Sequence, residues 1–267
     1  MIEQVDGSDA SRIFLKEAGI QRSRGVTFLR QLAKNFSQLP YENLSKLIKI
    51  GQLSDPSRAL RLPEEVVTDH FERNFGGTCF SLTFLFDRIL RFAGFACYKV
   101  MAEMRSGRNV HCLVIVEERG SKYLIDPGYA LYEVIELPKQ GKTSVACPHA
   151  VVEIVADGEG RYDLWTVDPS GRKWRYRFED VPVDEGDFER YWIESFARPT
   201  LSNVCLTRLT PQGHIYFRKD FFKFTSLETV TKRRVKEGIE RVVAAEFGID
   251  GQWVNQALEV LNRRRSR

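Results

Sequence analysis

The sequence contains no Cys-x-x-Cys pair, and its five cysteines, Cys79, Cys97, Cys112, Cys147 and Cys205, are odd in number. That pattern argues against a disulfide framework and a zinc knuckle, and it fits reduced thiols in a cytoplasm. No apolar stretch approaches the length of a membrane span. The first ten residues carry Glu3, Asp6 and Asp9 in place of a basic and then apolar run, so no signal peptide is expected. There is no glycine-rich phosphate loop, internal repeat or low-complexity linker. Net charge is also scarce: of 40 basic residues, four are Arg263, Arg264, Arg265 and Arg267, and the rest of the chain balances 36 basic against 36 acidic residues. A neutral body gives no basic groove for nucleic acid, and the arginine-rich tail is expected to be solvated and mobile. What is present is a globular composition, 43% hydrophobic, 12% aromatic and 28% charged, which excludes disordered, collagen-like and coiled-coil chains. A length of 267 residues leaves room for one large unit or two to three subdomains.

The hydrophobic period divides the chain. Residues Ser8 to Ala18 and the spacing of Phe28, Leu29, Leu32 and Phe36 before Pro40 read as helices. A further helix runs from Cys79, with Thr78 at its N-cap, to Gly94. From Cys97 the pattern alternates, with turns at residues 118–121, 157–160 and 168–171, which predicts an antiparallel sheet or small barrel. A short helix over Asp187 to Phe196 follows. Then come a hairpin of Val204 to Leu209 with Ile215 to Phe217, and helices over about Lys232 to Phe247 and Gln252 to Asn262. Soft boundaries near 95 and 195 divide the α+β chain into 1–95, 96–195 and 196–267.

Chemistry concentrates at Cys79. A thiol reacts as thiolate, and a helix N-terminus favours that form. Gly76 and Gly77 allow a sharp turn and close approach to a substrate, whereas a buried packing cysteine is the alternative reading. A nucleophilic cysteine needs a base and a group to orient it. Of the four histidines, His70, His111, His149 and His214, only His111 opens a strand that a two-residue turn at Arg119 and Gly120 folds onto Lys122 to Asp126. In that register Leu113 faces Asp126, so His111 and Asp126 share a face as diagonal neighbours roughly 7 to 8 Å apart, within reach of a hydrogen bond. A slip of one residue would separate them. The competing reading is that His111 only begins a strand and Asp126 only starts the Asp-Pro-Gly turn. A metal site at His111, Cys112, Cys147 and His149 is disfavoured by spacing, since His111 and Cys112 alternate faces.

Taken together, a glycine-preceded cysteine at a helix start, then a sheet with His and Asp on one face, is a papain-like Cys-His-Asp arrangement. At this level the sequence resembles the arylamine N-acetyltransferases. Their Pro-Phe-Glu-Asn-Leu, Arg-Gly-Gly-x-Cys-x-Glu, strand-opening His and Asp-Val-Gly-Phe-Gly segments correspond to Pro40-Tyr-Glu-Asn-Leu44, Phe75-Gly-Gly-Thr-Cys79-Phe-Ser81, His111 and Asp126-Pro-Gly-Tyr-Ala130. The His to Asp spacing of 15 is also the family's usual one. The resemblance implies a helical first part bearing Cys79, a small β-barrel bearing His111 and Asp126, and an α/β lid. It implies ping-pong transfer of an acetyl or related acyl group from coenzyme A to a small-molecule amine, with no tightly bound cofactor. Cys79 would be the nucleophile, His111 the proton carrier, Asp126 its orienter, and N–H groups at the helix start the oxyanion donors. Tyr129 would wall the acceptor site.

The sequence also departs from the family. Phe75 replaces the arginine expected to pair with the residue matching Glu42, leaving Glu42 to find Arg73 or water. Ser81 replaces Glu or Gln, and Pro127 and Ala130 alter the segment after Asp126, so the donor and acceptor of a divergent member can differ from acetyl-CoA and an arylamine. Transglutaminase-like proteins and papain-type peptidases share the arrangement, and an inactive scaffold binding partners through its arginine tail is a further alternative.

Overall fold

Apolar residues at helical spacing build the first part of the chain as α1 (Ser8–Glu17) and α2 (Gly25–Phe36), followed by the two-residue strand β1 (Tyr41–Glu42), then α3 (Leu44–Gln52), α4 (Pro63–Arg73) and α5 (Cys79–Ala93). The computed structural model describes residues 2–53 and 55–265. Twelve of the fifteen residues of α5 are buried, which makes it the central helix of this part. It ends at Gly94, whose φ of 92° is a left-handed cap. Its one fully buried carboxylate, Asp87, is held by Arg88 at 2.8 Å, Arg91 at 2.9 Å and Lys99 at 3.5 Å.

Eight strands follow: β2 (Ala96–Met104), β3 (Gly107–Glu118), β4 (Ser121–Asp126), β5 (Leu131–Glu136), β6 (Gly141–Cys147), β7 (Ala150–Ala156), β8 (Arg161–Asp168) and β9 (Gly171–Glu179). They form one antiparallel sheet in the order β5-β4-β3-β2-β9-β8-β7-β6. The sheet is a nearly closed barrel around Val100, Leu113, Ile115, Leu124, Ile154 and Leu164. The chain is thus α+β, and the predicted turns at 118–121, 157–160 and 168–171 all join neighbouring strands. β3 starts at Gly107, four residues before His111. The early part hides its alternation because Asn109 has a φ of 52° and the pairing with β2 shifts register near Ala102.

After α6 (Glu185–Glu194), capped by Asp184 on the Asp187 N–H at 2.8 Å, the chain forms β10 (Cys205–Thr210), β11 (Gly213–Arg218), β12 (Phe221–Thr225) and β13 (Val230–Arg234). The predicted hairpin is β10 and β11, but Lys232 lies in β13, and α7 spans only Ile239–Phe247. β13 is an edge strand, mostly exposed and rich in basic residues, so it carries no apolar alternation to read. The last helix, α8 (Gly251–Arg265), includes Arg263 to Arg265; Arg263 and Arg264 are exposed, as expected of a solvated tail, but they continue the helix. Ser266 and Arg267 lie outside the described residues. Among the described residues no helix is long and apolar enough to cross a membrane.

One short segment binds these parts together. β1 pairs with β10, Tyr41 opposite Thr207 and Glu42 opposite Leu206, so the start of the chain supplies the edge of the last sheet. The Asn43 side chain completes the join, donating to the Asn203 carbonyl at 2.8 Å and accepting from the Cys205 N–H at 2.8 Å.

Candidate active site

Cys79 is the first residue of α5, and Thr78 occupies the N-cap position with an extended backbone (φ −86°, ψ 172°). The Thr78 side chain does not cap the helix, so the N–H groups of its first turn donate no hydrogen bond to it. Gly76 and Gly77 serve a different contact from the one expected. A Cβ on Gly76 would meet the Pro40 carbonyl oxygen at 1.8 Å, and one on Gly77 would meet Ser81 Oγ at 2.3 Å. The glycines let the chain press against Pro40 and the first turn of α5, with Glu42 N–H donating to the Gly77 carbonyl at 2.9 Å. The small Ser81 fits that crowding, and its hydroxyl donates to the Thr78 carbonyl at 3.1 Å.

The strand register brings His111 and Asp126 together. Val114 pairs with Ile125 and Val116 with Tyr123 around the turn at Arg119 and Gly120, both at positive φ (50° and 80°). His111 Nε2 then lies 2.6 Å from Asp126 Oδ2, with both side chains buried. The two readings of Asp126 turn out to be compatible. Its Oδ1 accepts the Tyr129 N–H at 2.9 Å, fixing the turn, while its Oδ2 holds His111. With Nε2 occupied, Nδ1 is the nitrogen left for Cys79, and a hydrogen bond joins the two side chains. The turn approaches so closely that a Cβ on Gly128 would lie 2.4 Å from Cys79 Cβ and 3.1 Å from His111 Cε1. Ala130, just beyond, keeps the left-handed conformation (φ 55°) that glycine adopts more readily.

Electrostatics favour an ion pair. The Cys112 thiol, which sequence reasoning left as packing, hydrogen-bonds to Cys79 and is the largest influence drawing the Cys79 pKa well below the ordinary thiol range. Burial opposes the shift, while the hydrogen bond and charge of His111 and the charge of Lys46 add to it. Cys112 itself stays a thiol, because burial and its Cys79 partner push its pKa up. Burial also disfavours the His111 imidazolium, but the charge and hydrogen bond of Asp126, with Cys79, outweigh it and lift the pKa to about 10. The only sequence signal for Cys112 was its place beside His111 on β3.

Glu42 is fully buried, and its partner is Arg61, not Arg73. The Arg61 Nη1 stands 3.5 Å from Glu42 and donates to the Gly76 carbonyl at 2.7 Å, and Nη2 meets Asp69 at 2.6 Å. Ser45 completes the cage, its N–H donating to Glu42 at 2.9 Å. Arg61 therefore fills the place of the arginine missing before Gly76, with its guanidinium brought in from a different segment. Arg73 pairs with Asp69 and lies over the Trp253 ring, against which the buried Phe75 also packs edge-on.

Cys79, His111 and Gly128 open onto a cavity of about 750 Å³ between the central helix, the barrel and the last sheet. Tyr129 lines it, edge-on to His111 with ring centroids 6.3 Å apart, and Tyr176, absent from the sequence reading, packs on His111 at 5.1 Å. Two histidines without an expected role also line it: His149 and His214 lie with centroids 5.0 Å apart and their rings tilted by 34°. His70 sits elsewhere, with Nδ1 3.1 Å from the Phe75 carbonyl oxygen. Among the described residues no group of three or more His, Cys, Asp or Glu side chains is placed to hold a metal ion.

A sequence-family profile for N-acetyltransferases matches residues 26–255. The fold is similar to that of the arylamine N-acetyltransferase from Mycobacterium abscessus, with a TM-score of 0.81 over 96% of this chain and 97% of that one at 16% identity. The arylamine N-acetyltransferase from Salmonella typhimurium gives 0.74 over 95% and 98% at 18% identity. One from Bacillus cereus, described as having a Cys-His-Glu catalytic triad, gives 0.70 over 91% and 99% at 19% identity. At these identities the likeness shows the fold. A sequence search of curated proteins finds no significant match.

Proposed function

The chain belongs to the N-acetyltransferase family, and we propose that it transfers an acetyl or related acyl group from coenzyme A to a small-molecule amine through a thioester on Cys79. The observation that carries this reading is the chain of contacts from Cys79 at a helix start, through His111, to Asp126 at 2.6 Å. Cys79 Sγ, as thiolate, attacks the thioester carbonyl of the donor, and the tetrahedral oxyanion meets the N–H groups at the start of α5. The coenzyme A thiolate leaves and takes the proton of His111. The amine then attacks the Cys79 thioester and gives its proton to His111, which releases the amide and restores the thiolate. Asp126 holds the ring with Nδ1 toward sulfur throughout, while Tyr129 forms an aromatic wall for the acceptor.

The same reading divides the protein into a helical part, a barrel and a lid over residues 1–95, 96–195 and 196–267, meeting at this cavity. All five cysteines are free, and a working Cys79 needs a reducing compartment such as the cytoplasm. Purified protein incubated with acetyl-CoA and read by intact mass tests the proposal. The expected result is one acetyl group on Cys79, discharged by an arylamine. Labelling by a glutamine or peptide donor alone would transfer the site to transglutaminase-like or peptidase chemistry.

A further inference from the structure

The cavity wall carries more positive charge than the proposed acyl transfer uses. Lys46, Arg175, Arg198, Arg218 and Lys223 line it, and its one lining carboxylate, Asp168, already faces Lys173 at 3.4 Å and Lys223 at 3.9 Å. The wall near Cys79 is the clearest case. Lys46 is 4% exposed, donates to Ser195 Oγ at 2.5 Å and lies 4.0 Å above the Phe196 ring. Ser195 Oγ directs its own proton to the Trp192 carbonyl at 2.5 Å, so it meets the ammonium with a lone pair. Among the described residues no carboxylate lies within ion-pair distance of Lys46.

Arg198 is similarly under-used. Its Nη2 donates to the Asn109 carbonyl at 3.0 Å and stands 4.0 Å from Glu194, while Nη1 is buried with no hydrogen-bond partner. Burial draws the Lys46 pKa down to about 7; the Cys79 charge works in the other direction, and Arg198 adds repulsion. Once Cys79 is acylated that supporting negative charge is gone, and Lys46 beside Arg198 then keeps its proton only where an incoming anion meets it. Buried charges of one sign are stable only where a counter-charge meets them.

We propose that Lys46, Ser195 and Arg198 form a subsite for an acid group carried by the substrate, so that the protein prefers a donor or an acceptor bearing a carboxylate. This rests on the reading that Cys79 carries the acyl group. A carboxylate on the Lys46 ammonium, with the Arg198 guanidinium adding its charge, would make a charge-assisted hydrogen bond that a neutral isostere cannot make.

Two matched pairs test it. On the acceptor side, 4-aminobenzoate is compared with 4-aminobenzamide in discharging acetylated Cys79. On the donor side, succinyl-CoA is compared with butyryl-CoA in loading it. The expected result is an acid-bearing partner reacting roughly 10-fold faster or more than its neutral counterpart, the gain that a charged hydrogen bond confers. That ratio should fall toward one in Lys46→Met and in Arg198→Gln, and the pair that responds shows whether donor or acceptor carries the acid. Arg198, being partly exposed, supplies the ratio should Lys46→Met fail to fold. Ratios near one in the native protein overturn the subsite. So do variants that slow acid and neutral partners by the same factor, because the cations would then serve the thiolate or the phosphates of coenzyme A. If no thioester loads Cys79, the acyl-transfer reading has failed by itself, and calorimetric titration of 4-aminobenzoate reads the subsite separately. Saturable binding weakened in Lys46→Met supports it, and absence of binding overturns it.

Discussion

Histidines that line one cavity are held in opposite protonation states. His111 keeps its proton up to about pH 10, whereas burial, first of all, pulls His149 down to about 4 and His214 down to about 3. Nearby Arg175 and Lys223 push the second pair further from the charged form. Burial acts on all three rings in the same direction. Only His111 has a carboxylate at hydrogen-bond distance, Asp126 at 2.6 Å, and that neighbour, with Cys79 adding to it, reverses the outcome. The cysteines repeat the contrast. Cys79 and Cys205 both line the cavity and are partly buried, yet burial lifts Cys205 to about 11 while Cys112, His111 and Lys46 draw Cys79 down. Burial makes these groups neutral by default, and the neighbours Asp126 and Cys112 are what set the Cys79 and His111 pair apart.

Asp126→Asn removes the difference between the histidines and should have the largest effect. Acyl-transfer kcat/KM should fall about 10,000-fold, as when a triad carboxylate loses its charge elsewhere. Gly128→Ala leaves every charge in place but inserts a methyl 2.4 Å from Cys79 Cβ, so it tests geometry separately. A rate loss of about 100-fold is expected for a displacement of that size. Arg61→Met attacks the scaffold beneath Cys79 by stranding buried Glu42. Removing one partner of a buried pair costs about 3 to 5 kcal/mol, which thermal melting should show as a Tm loss of roughly 6 to 15 °C. The smallest effect sharpens the comparison from the other side. His149→Asp gives His214 a carboxylate neighbour, and an NMR titration should find its midpoint moved from about 3 toward the ordinary histidine value.

Much of the site was legible because it rests on local rules. Glycines before Cys79 and Gly94 after its helix fixed α5, and a two-residue turn at Arg119 and Gly120 fixed the register that pairs His111 with Asp126. The barrel was readable for the same reason, since each of its turns carries its own turn residues. Long-range partners were not readable. Arg61 reaches Glu42 from 19 positions away and Lys46 reaches Ser195 from 149 away, with no spacing rule to connect them. β13 was hidden because an exposed, basic edge strand has no apolar period, and the contact of Gly76 with Pro40 was hidden because it joins segments 36 residues apart.

The most direct measurement of the account is the rate at which iodoacetamide modifies each of the five cysteines as a function of pH, read by peptide mass spectrometry. A depressed Cys79 pKa makes the thiolate present well below the ordinary thiol range, and His111 remains protonated beside it until about pH 10. The account predicts that Cys79 reacts fastest and that its rate rises with pH less steeply than that of Cys205, which reacts slowly and accelerates toward alkaline pH. Cys79 labelling at the pace of Cys205, with the same climb toward alkaline pH, would contradict it.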